Sequence, residues 1–295
     1  MRTLVSAITI DQELFVKKLT QKFLLGKRHA RTTPCDPIAF QKLKPADNDL
    51  DRDRASRLPY LQLIGSLLYL STMTRPDIAY HMSVLCSLMH DHTVEAYEAA
   101  LDLLSYVQST SDTQIRFSGS SEAPDSIEPA LRQHIQRNHG LLAYSDAAWH
   151  KPDKLGYNMF GYVIYLYGGP ICFAAKRMKV VAISSAEAEY AGAAFTCKEI
   201  VFVRNICKDL GIQLHGHTAL AVDNQAAIKI ARNMGVTARN KHFEDTLHFF
   251  RHMVDHRIVD PFFVTTRNQK ADGFTKPLAP SLYGPWRRTV VHVVE

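Results

Sequence analysis

No run in the 295 residues reaches the roughly 18 apolar positions that a membrane-spanning helix needs, and the N-terminus has neither the apolar core nor the small-residue cleavage site of a secretory leader. The chain is therefore expected to be soluble and intracellular, cytoplasmic or nuclear. Cysteine is also scarce. The five cysteines (Cys35, Cys86, Cys172, Cys197 and Cys207) are odd in number and never spaced C-x-x-C. That argues against both a disulfide framework and a cysteine-rich zinc site and leaves reduced, mostly buried thiols. No G-x-S-x-G elbow surrounds Ser66 or Ser184, so a serine hydrolase is not indicated. His248, His252 and His256 recur every fourth residue, but no carboxylate or cysteine pattern completes a zinc site around them, which leaves surface or partner-facing histidines.

What is present points to a folded, basic protein. A hydrophobic fraction of 46% is typical of a chain that buries a core, and the length suits one large domain or two ordinary ones. The formal charge of +6 and pI near 9.0 favour a polyanionic partner, because each phosphate neutralised by Lys or Arg releases a condensed counterion.

The pattern changes along the chain. An amphipathic segment, 11–25, precedes a polar stretch, 31–57, that reads as an exposed linker with Pro34, Pro37 and Pro45. Leu63, Leu67 and Leu70 then mark a helical stripe, and helices are expected near 60–72, 76–89 and 93–109. Residues 118–138 turn to Ser, Glu, Pro and Gln, as in a loop insertion. After them come the β-rich runs 139–145, 159–167 and 170–175, the last two separated by Gly168-Gly169 as a hairpin turn, with a further strand around 179–183. A long helix from Ser185 to Leu210 is expected to end at Gly211. Strand 218–222, a helix from about Asn224, a helix at 241–255, strand 257–264 and a closing helix from about Lys270 complete the series. Antiparallel strands followed by α/β alternation imply a mixed sheet with helices on its faces.

The informative acids sit where elements change. Asp146 follows the first strand of this half, Asp223 ends a later one, Glu189 lies early in the long helix, and Asp272 opens the last helix. Ligands of open α/β sheets bind near the carboxyl ends of strands, so three of these four positions can converge there if adjacent strands pair as the order suggests. Four converging carboxylates persist only with cations, and an all-oxygen set favours Mg²⁺ or Mn²⁺ over zinc. Each acid also has an ordinary reading: Asp146 as a turn residue, Asp223 as a helix N-cap, Asp272 as a first-turn carboxylate favoured by the helix dipole. Ser184-x-x-Glu187 fits a capping box, which gives Glu187 a local task and leaves Glu189 free to be a ligand.

Nine strings carry a family resemblance: Tyr60-Leu-Gln-Leu-Ile-Gly-Ser-Leu-Leu-Tyr-Leu, Thr74-Arg-Pro-Asp-Ile-Ala, Ser145-Asp-Ala-Ala-Trp, Gly161-Tyr-Val, Gly168-Gly-Pro-Ile, Ile183-Ser-Ser-Ala-Glu-Ala-Glu-Tyr, Asp223-Asn-Gln-Ala-Ala-Ile, Lys241-His and Ala271-Asp-Gly-Phe-Thr-Lys-Pro-Leu. In this order and spacing, over residues 8 to 280, the sequence resembles the ribonuclease H region of copia-type LTR retrotransposon polyproteins. The resemblance implies a ribonuclease H-like mixed five-stranded sheet with flanking helices at 139–280, preceded by a small, mainly helical unit. It further implies a reverse-transcriptase thumb-end remnant and linker at 1–58, a helical connection unit at 59–117, the insertion at 118–138 and a C-terminal tail at 281–295. It places the catalytic carboxylates on Asp146, Glu189, Asp223 and Asp272. No Tyr-x-Asp-Asp palm motif, integrase zinc motif or aspartic-protease Asp-Thr/Ser-Gly occurs, so the polymerase portion would be a separate partner.

On this reading two Mg²⁺ or Mn²⁺ ions serve hydrolysis of the RNA strand of an RNA–DNA hybrid, with Asp146 bridging, Glu189 and Asp223 on one ion and Asp272 on the other. Expected contacts to the hybrid are Ser145, Trp149, Asn224 and Gln225, with Lys176, Arg177 and Lys179 on phosphates. The sequence departs from the family in two places. Ala148 stands where the family usually has Asp, and Asn158-Met159-Phe160 precedes Gly161 where it has a Ser/Thr-rich entry. These departures keep open a second class, a non-catalytic hybrid-binding or scaffold module derived from such an element.

Overall fold

Helical periodicity shapes the first part of the computed structural model, which describes residues 7–24, 28–119, 127–149, 158–178, 182, 184–232 and 244–293, with side chains from residue 249 in the last of these. A short strand, β1 (Ile8–Ile10), is followed by α1 (Glu13–Phe23), which buries Val16, Leu19 and Phe23 on one face. Residues 31–57, expected to be linker, instead form two short helices, α2 (Pro37–Gln41) and α3 (Asp49–Ser56). Both have side-chain caps that the linker reading overlooked: Asp36 accepts from the backbone N–H groups of Ile38 and Ala39, and Asn48 accepts from that of Asp51. The apolar stripe becomes α4 (Tyr60–Met73), with Leu63, Ile64, Leu67 and Leu70 buried. A 3₁₀ turn at Pro76–Ile78 opens α5 (Ala79–Ser87), and Thr93 caps α6 (Val94–Ser109) by accepting from the N–H of Ala96. Strand β2 (Ile115–Phe117) pairs with β1.

The remaining elements are α7 (Pro129–Arg137), β3 (Leu142–Ala148), β4 (Asn158–Leu166), β5 (Gly169–Met178), α8 (Ser185–Asp209), β6 (Thr218–Val222), α9 (Gln225–Arg232), α10 (Glu244–Asp255), β7 (Val259–Phe263) and α11 (Pro280–Val290). The chain divides into two compact units: the helical stretch Thr9–Arg116 together with the segment from Pro277 onward, and the sheet-bearing stretch Phe117–Lys276.

A buried polar network centres the helical unit. Asp77 is fully buried and receives Nε and Nη2 of Arg75 at 2.9 and 2.8 Å, while the Tyr106 hydroxyl donates to Asp77 Oδ2 at 2.6 Å. The Arg75 guanidinium also donates to the carbonyl and hydroxyl of Thr110. Tyr283, on α11, donates from its hydroxyl to the Asp77 carbonyl at 3.0 Å, and Gln114 forms an isolated bridge with His292. Residues 281–295, expected as a tail, therefore supply a helix with Tyr283 and Trp286 buried in this unit.

In the other unit the sheet has the order β5-β4-β3-β6-β7. Strands β3, β4 and β5 are antiparallel neighbours, whereas β6 runs parallel to β3 and β7 parallel to β6. This is the expected mixed five-stranded sheet. The hairpin turn lies one residue earlier than Gly168-Gly169: Tyr167 and Gly168 both have positive φ (52° and 81°), and Gly169 already belongs to β5. Paired left-handed residues match the twist of the flanking strands, and glycine adopts that conformation without strain. Gly211 terminates α8 as expected, at φ 74°, with Ile212 N–H bonded to the Cys207 carbonyl. The extra strand expected at 179–183 lies outside the described residues except Ala182. The core is a continuous apolar cluster joining the sheet to α8, α9 and α10, including Ile164, Tyr190, Ile200, Leu220 and Phe250.

Removing one member of a buried, hydrogen-bonded ion pair leaves the other charge uncompensated, at a cost of about 3–5 kcal/mol. Asp77→Ala should lower the stability of the helical unit by that amount, and Tyr283→Phe by only about 1 kcal/mol. Urea unfolding followed by Trp286 fluorescence in a Trp149→Phe background reads this unit; equal losses for the two substitutions would show that Asp77 is not its centre.

Candidate metal centre

Strand register brings the first two acids together. Residues 142–144 of β3 pair in parallel with 219–221 of β6, so continuing the register by two residues sets Asp223 abreast of Asp146. Asp146 lies inside β3, where the sequence had placed it just beyond the strand, and it pairs with Gly161 of β4. Glu189 comes from the start of α8, whose N-cap Ser184 accepts from the N–H of Glu187 at 3.3 Å. Close approach of this helix to β3 depends on Gly192, where an added Cβ would lie 3.2 Å from the Ala147 Cβ.

Asp146, Glu189 and Asp223 each present a carboxylate oxygen within 4.8 Å of the others. Asp146 and Glu189 are only 5% and 6% exposed, so water screens their repulsion little. Burial, opposed by the Thr275 hydrogen bond and reinforced by Asp223 and Asp272, pushes Asp146 up to about 6. Burial and the charges of Asp146 and Asp223 push Glu189 higher still. Asp223 is also raised, by burial, with the Thr266 hydroxyl opposing at 3.3 Å. Glu189 Oε2 is buried without a hydrogen-bond partner. A crowded, buried, all-oxygen set with an unmatched acceptor fits a hard divalent cation.

Asp272 is not one of the three clustered acids. It begins a single 3₁₀ turn, Asp272–Phe274, where the sequence had suggested a closing helix from about Lys270; the next helix is α11. Its carboxylate forms an ion pair with Lys276. The same turn supplies Thr275, whose hydroxyl donates to Asp146 Oδ2. Phe274 packs so tightly on β4 that a Cβ on Gly161 would come within 2.3 Å of the Phe274 Cβ.

The expected hybrid contacts separate by environment. Ser145 is fully buried, its hydroxyl 3.0 Å from that of Thr196 and its carbonyl accepting from Gln269 Nε2 at 2.9 Å, so it braces β3 and presents nothing to a ligand. Asn224 caps α9 by accepting from the N–H groups of Ala226 and Ala227, with Gln225 exposed beside it. Trp149 is 48% exposed and donates from its indole N–H to the Ala182 carbonyl at 3.2 Å. Lys176 lies on the outer strand β5 and meets Glu199 at 3.3 Å; Arg177 follows it on that strand, and Lys179 is outside the described residues. In the departing segment Phe160 is buried and stacked on Phe195 at 5.0 Å, so this substitution fills the core. Sequence reasoning missed Gln269, Thr266, Thr275 and Lys276 as neighbours of the acids. Only Thr275 and Lys276 carried a signal, at three and four residues after Asp272.

A mixed sheet in which three antiparallel strands are followed by two parallel ones, with clustered acids on β3, just past the end of β6 and on the helix between them, defines a ribonuclease H-like domain. No protein-family model matches the chain. The Pol polyprotein of transposon TNT 1-94 from Nicotiana tabacum is 27% identical over 268 residues, and that of transposon RE1 from Arabidopsis thaliana is 33% identical over 226 residues. These matches cover 90% and 76% of this chain but only 19% and 14% of the relatives, so the chain spans less than a fifth of their length. Among solved structures, RNase H1 from Halobacterium salinarum NRC-1 aligns at 17% identity over 45% of this chain and 92% of that one, with a TM-score of 0.35. The chain is thus similar to one segment of the retrovirus-related Pol polyproteins of transposons.

A carboxyl raised in the folded state makes that state the better proton binder, so stability falls as pH rises. In EDTA, the melting temperature should decline from about pH 4 through the Asp146 value of about 6 and beyond, and millimolar Mg²⁺ should reverse the decline at pH 8. A melting temperature indifferent to Mg²⁺ at pH 8 would exclude a cation at these acids. Gly161→Ala should cost about 1–3 kcal/mol by overpacking against Phe274, read from the urea midpoint.

Proposed function

We propose that this chain hydrolyses the RNA strand of RNA–DNA hybrids with two divalent ions, Mg²⁺ or Mn²⁺, as one segment of a copia-type Pol polyprotein whose reverse-transcriptase portion is its working partner. The observation that carries this reading is the convergence of buried Asp146 and Glu189 and half-buried Asp223 within 4.8 Å of one another, with Glu189 Oε2 left unmatched. These three residues would hold one ion, and Asp146 with Asp272 a second. Bound there, the ions would supply the Lewis acidity that activates water and offsets charge on the phosphodiester.

The chain's own residues would do the positioning. The Thr275 hydroxyl fixes one Asp146 oxygen and so orients the other. Thr266 does the same for Asp223. Gln269, through the Ser145 carbonyl, holds β3 against the turn that carries Asp272. Trp149, half exposed beyond the end of β3, would stack on sugar or base, and Gln225 would reach a 2′-hydroxyl. Lys176 and Arg177 would follow the phosphate backbone along the outer strand.

The test is gel-resolved cleavage of an end-labelled RNA–DNA hybrid with Mg²⁺ or Mn²⁺. Asp146→Asn and Asp223→Asn should each lower the rate by about a hundredfold or more, and Thr275→Val by about ten- to a hundredfold. Products that persist undiminished in both Asn variants would sink the assignment. Hybrid binding that survives EDTA, with no cleavage under either metal, would mark the chain as a binding module.

A further inference from the structure

We infer that Lys276 is a built-in counter-cation that occupies the Asp272 carboxylate, so that a divalent ion can use Asp272 only by displacing the Lys276 ammonium. The inference rests on the metal-binding reading above and adds an element of control to it.

Three observations carry it. The ammonium is paired directly with Asp272 Oδ1, and both side chains are mostly covered, at 37% and 15% exposure. Asp146, Glu189 and Asp223 form the compact triplet, whereas Asp272, the fourth acid, already has a cation of its own. The turn that leads from Asp272 to Lys276 is held in place: the Thr275 hydroxyl is bonded to Asp146, Phe274 is packed on Gly161, and the Ala271 N–H is bonded to Gln269 Oε1. Lys276 therefore follows an anchored turn beside the acids, and only its side chain need swing aside to free Asp272.

The physical consequence is competition. One positive charge on Asp272 offsets part of the repulsion when no divalent ion is bound, and the same charge repels an incoming divalent ion and blocks an oxygen it needs. Replacing the lysine by an apolar side chain of similar length should therefore move two properties in opposite directions, tightening metal binding and weakening the metal-free fold. A lysine with only a structural role would not tighten metal binding.

The experiment is a titration of the full chain with Mn²⁺ at pH 7.5 and low salt, with free Mn²⁺ read by electron paramagnetic resonance and melting temperatures taken in EDTA. Lys276→Met should bind Mn²⁺ about tenfold tighter than the unmodified chain and melt lower in EDTA, and Lys276→Arg should behave like the unmodified chain. In an Asp272→Asn background, Lys276→Met should change affinity by less than about twofold, because the shared partner is gone. Unchanged or weaker Mn²⁺ binding by Lys276→Met, in a chain whose binding Asp146→Asn abolishes, would overturn the competition and leave the metal centre standing. No Mn²⁺ binding by the unmodified chain or any variant would overturn the competition and the nuclease reading together.

Discussion

Buried like charges are the constraint on which the sheet-bearing unit turns. Three carboxylates within 4.8 Å of one another, two of them almost wholly shielded from solvent, cannot all be ionised without compensation. The fold meets this in several ways at once. Hydroxyls of Thr275 and Thr266 donate to Asp146 and Asp223, the Lys276 ammonium sits on the neighbouring Asp272, and the acids' proton affinities are raised. None of these is a complete solution, as the unmatched Glu189 Oε2 shows. What remains is a demand for positive charge at one location, which a divalent cation held by these acids would meet.

The scaffold explains how such a cluster is assembled at all. Asp146 and Asp223 are 77 residues apart in number yet abreast in space, because β3 and β6 are parallel neighbours in register. The crossover that makes them parallel is α8, and its first turns deliver Glu189 to the same end. Small residues set the spacing: Gly192 admits α8 to β3, and Gly161 admits the Asp272–Phe274 turn to β4. Both contacts are too close for a side chain without displacement, so the geometry of the site depends on what those positions lack.

The helical unit applies a different economy of charge. Arg75 and Asp77 are fully buried, but the side-chain donors and acceptors of the pair itself are matched by each other, Thr110 and Tyr106, and Tyr283 donates to the Asp77 carbonyl. A pair so completely satisfied stabilises one arrangement and asks for no ligand. The contrast with Glu189 separates two kinds of buried acid, one serving structure and one left open to an ion. Both kinds sit in strings that mark the family resemblance, Thr74-Arg-Pro-Asp and Ala-Glu189-Tyr, so motif membership by itself does not distinguish them.

The sequence by itself determined much of the architecture. Period-3.6 and β-rich segments, the Ser184 cap and the Gly211 stop are local signals, and they located α4, α6, α8 and the five strands of the mixed sheet to within a few residues, but not β1 or β2. They also singled out the acids, because a carboxylate at the junction of strand and helix is visible in one dimension. Local signals failed where backbone hydrogen bonding was subtle. The short capped helices at 37–41 and 49–56 read as linker, and the turn at Asp272–Phe274 read as a helix start. Tertiary structure alone decided which acids meet and what surrounds them: that Asp272 is taken by Lys276, that Ser145 is buried as a brace, and that Thr275, Thr266 and Gln269 hold the site from more than 40 residues away. The reason is physical. Secondary structure follows from neighbours along the chain, whereas the charge, burial and hydrogen-bond partner of a side chain are set by whatever the fold brings against it.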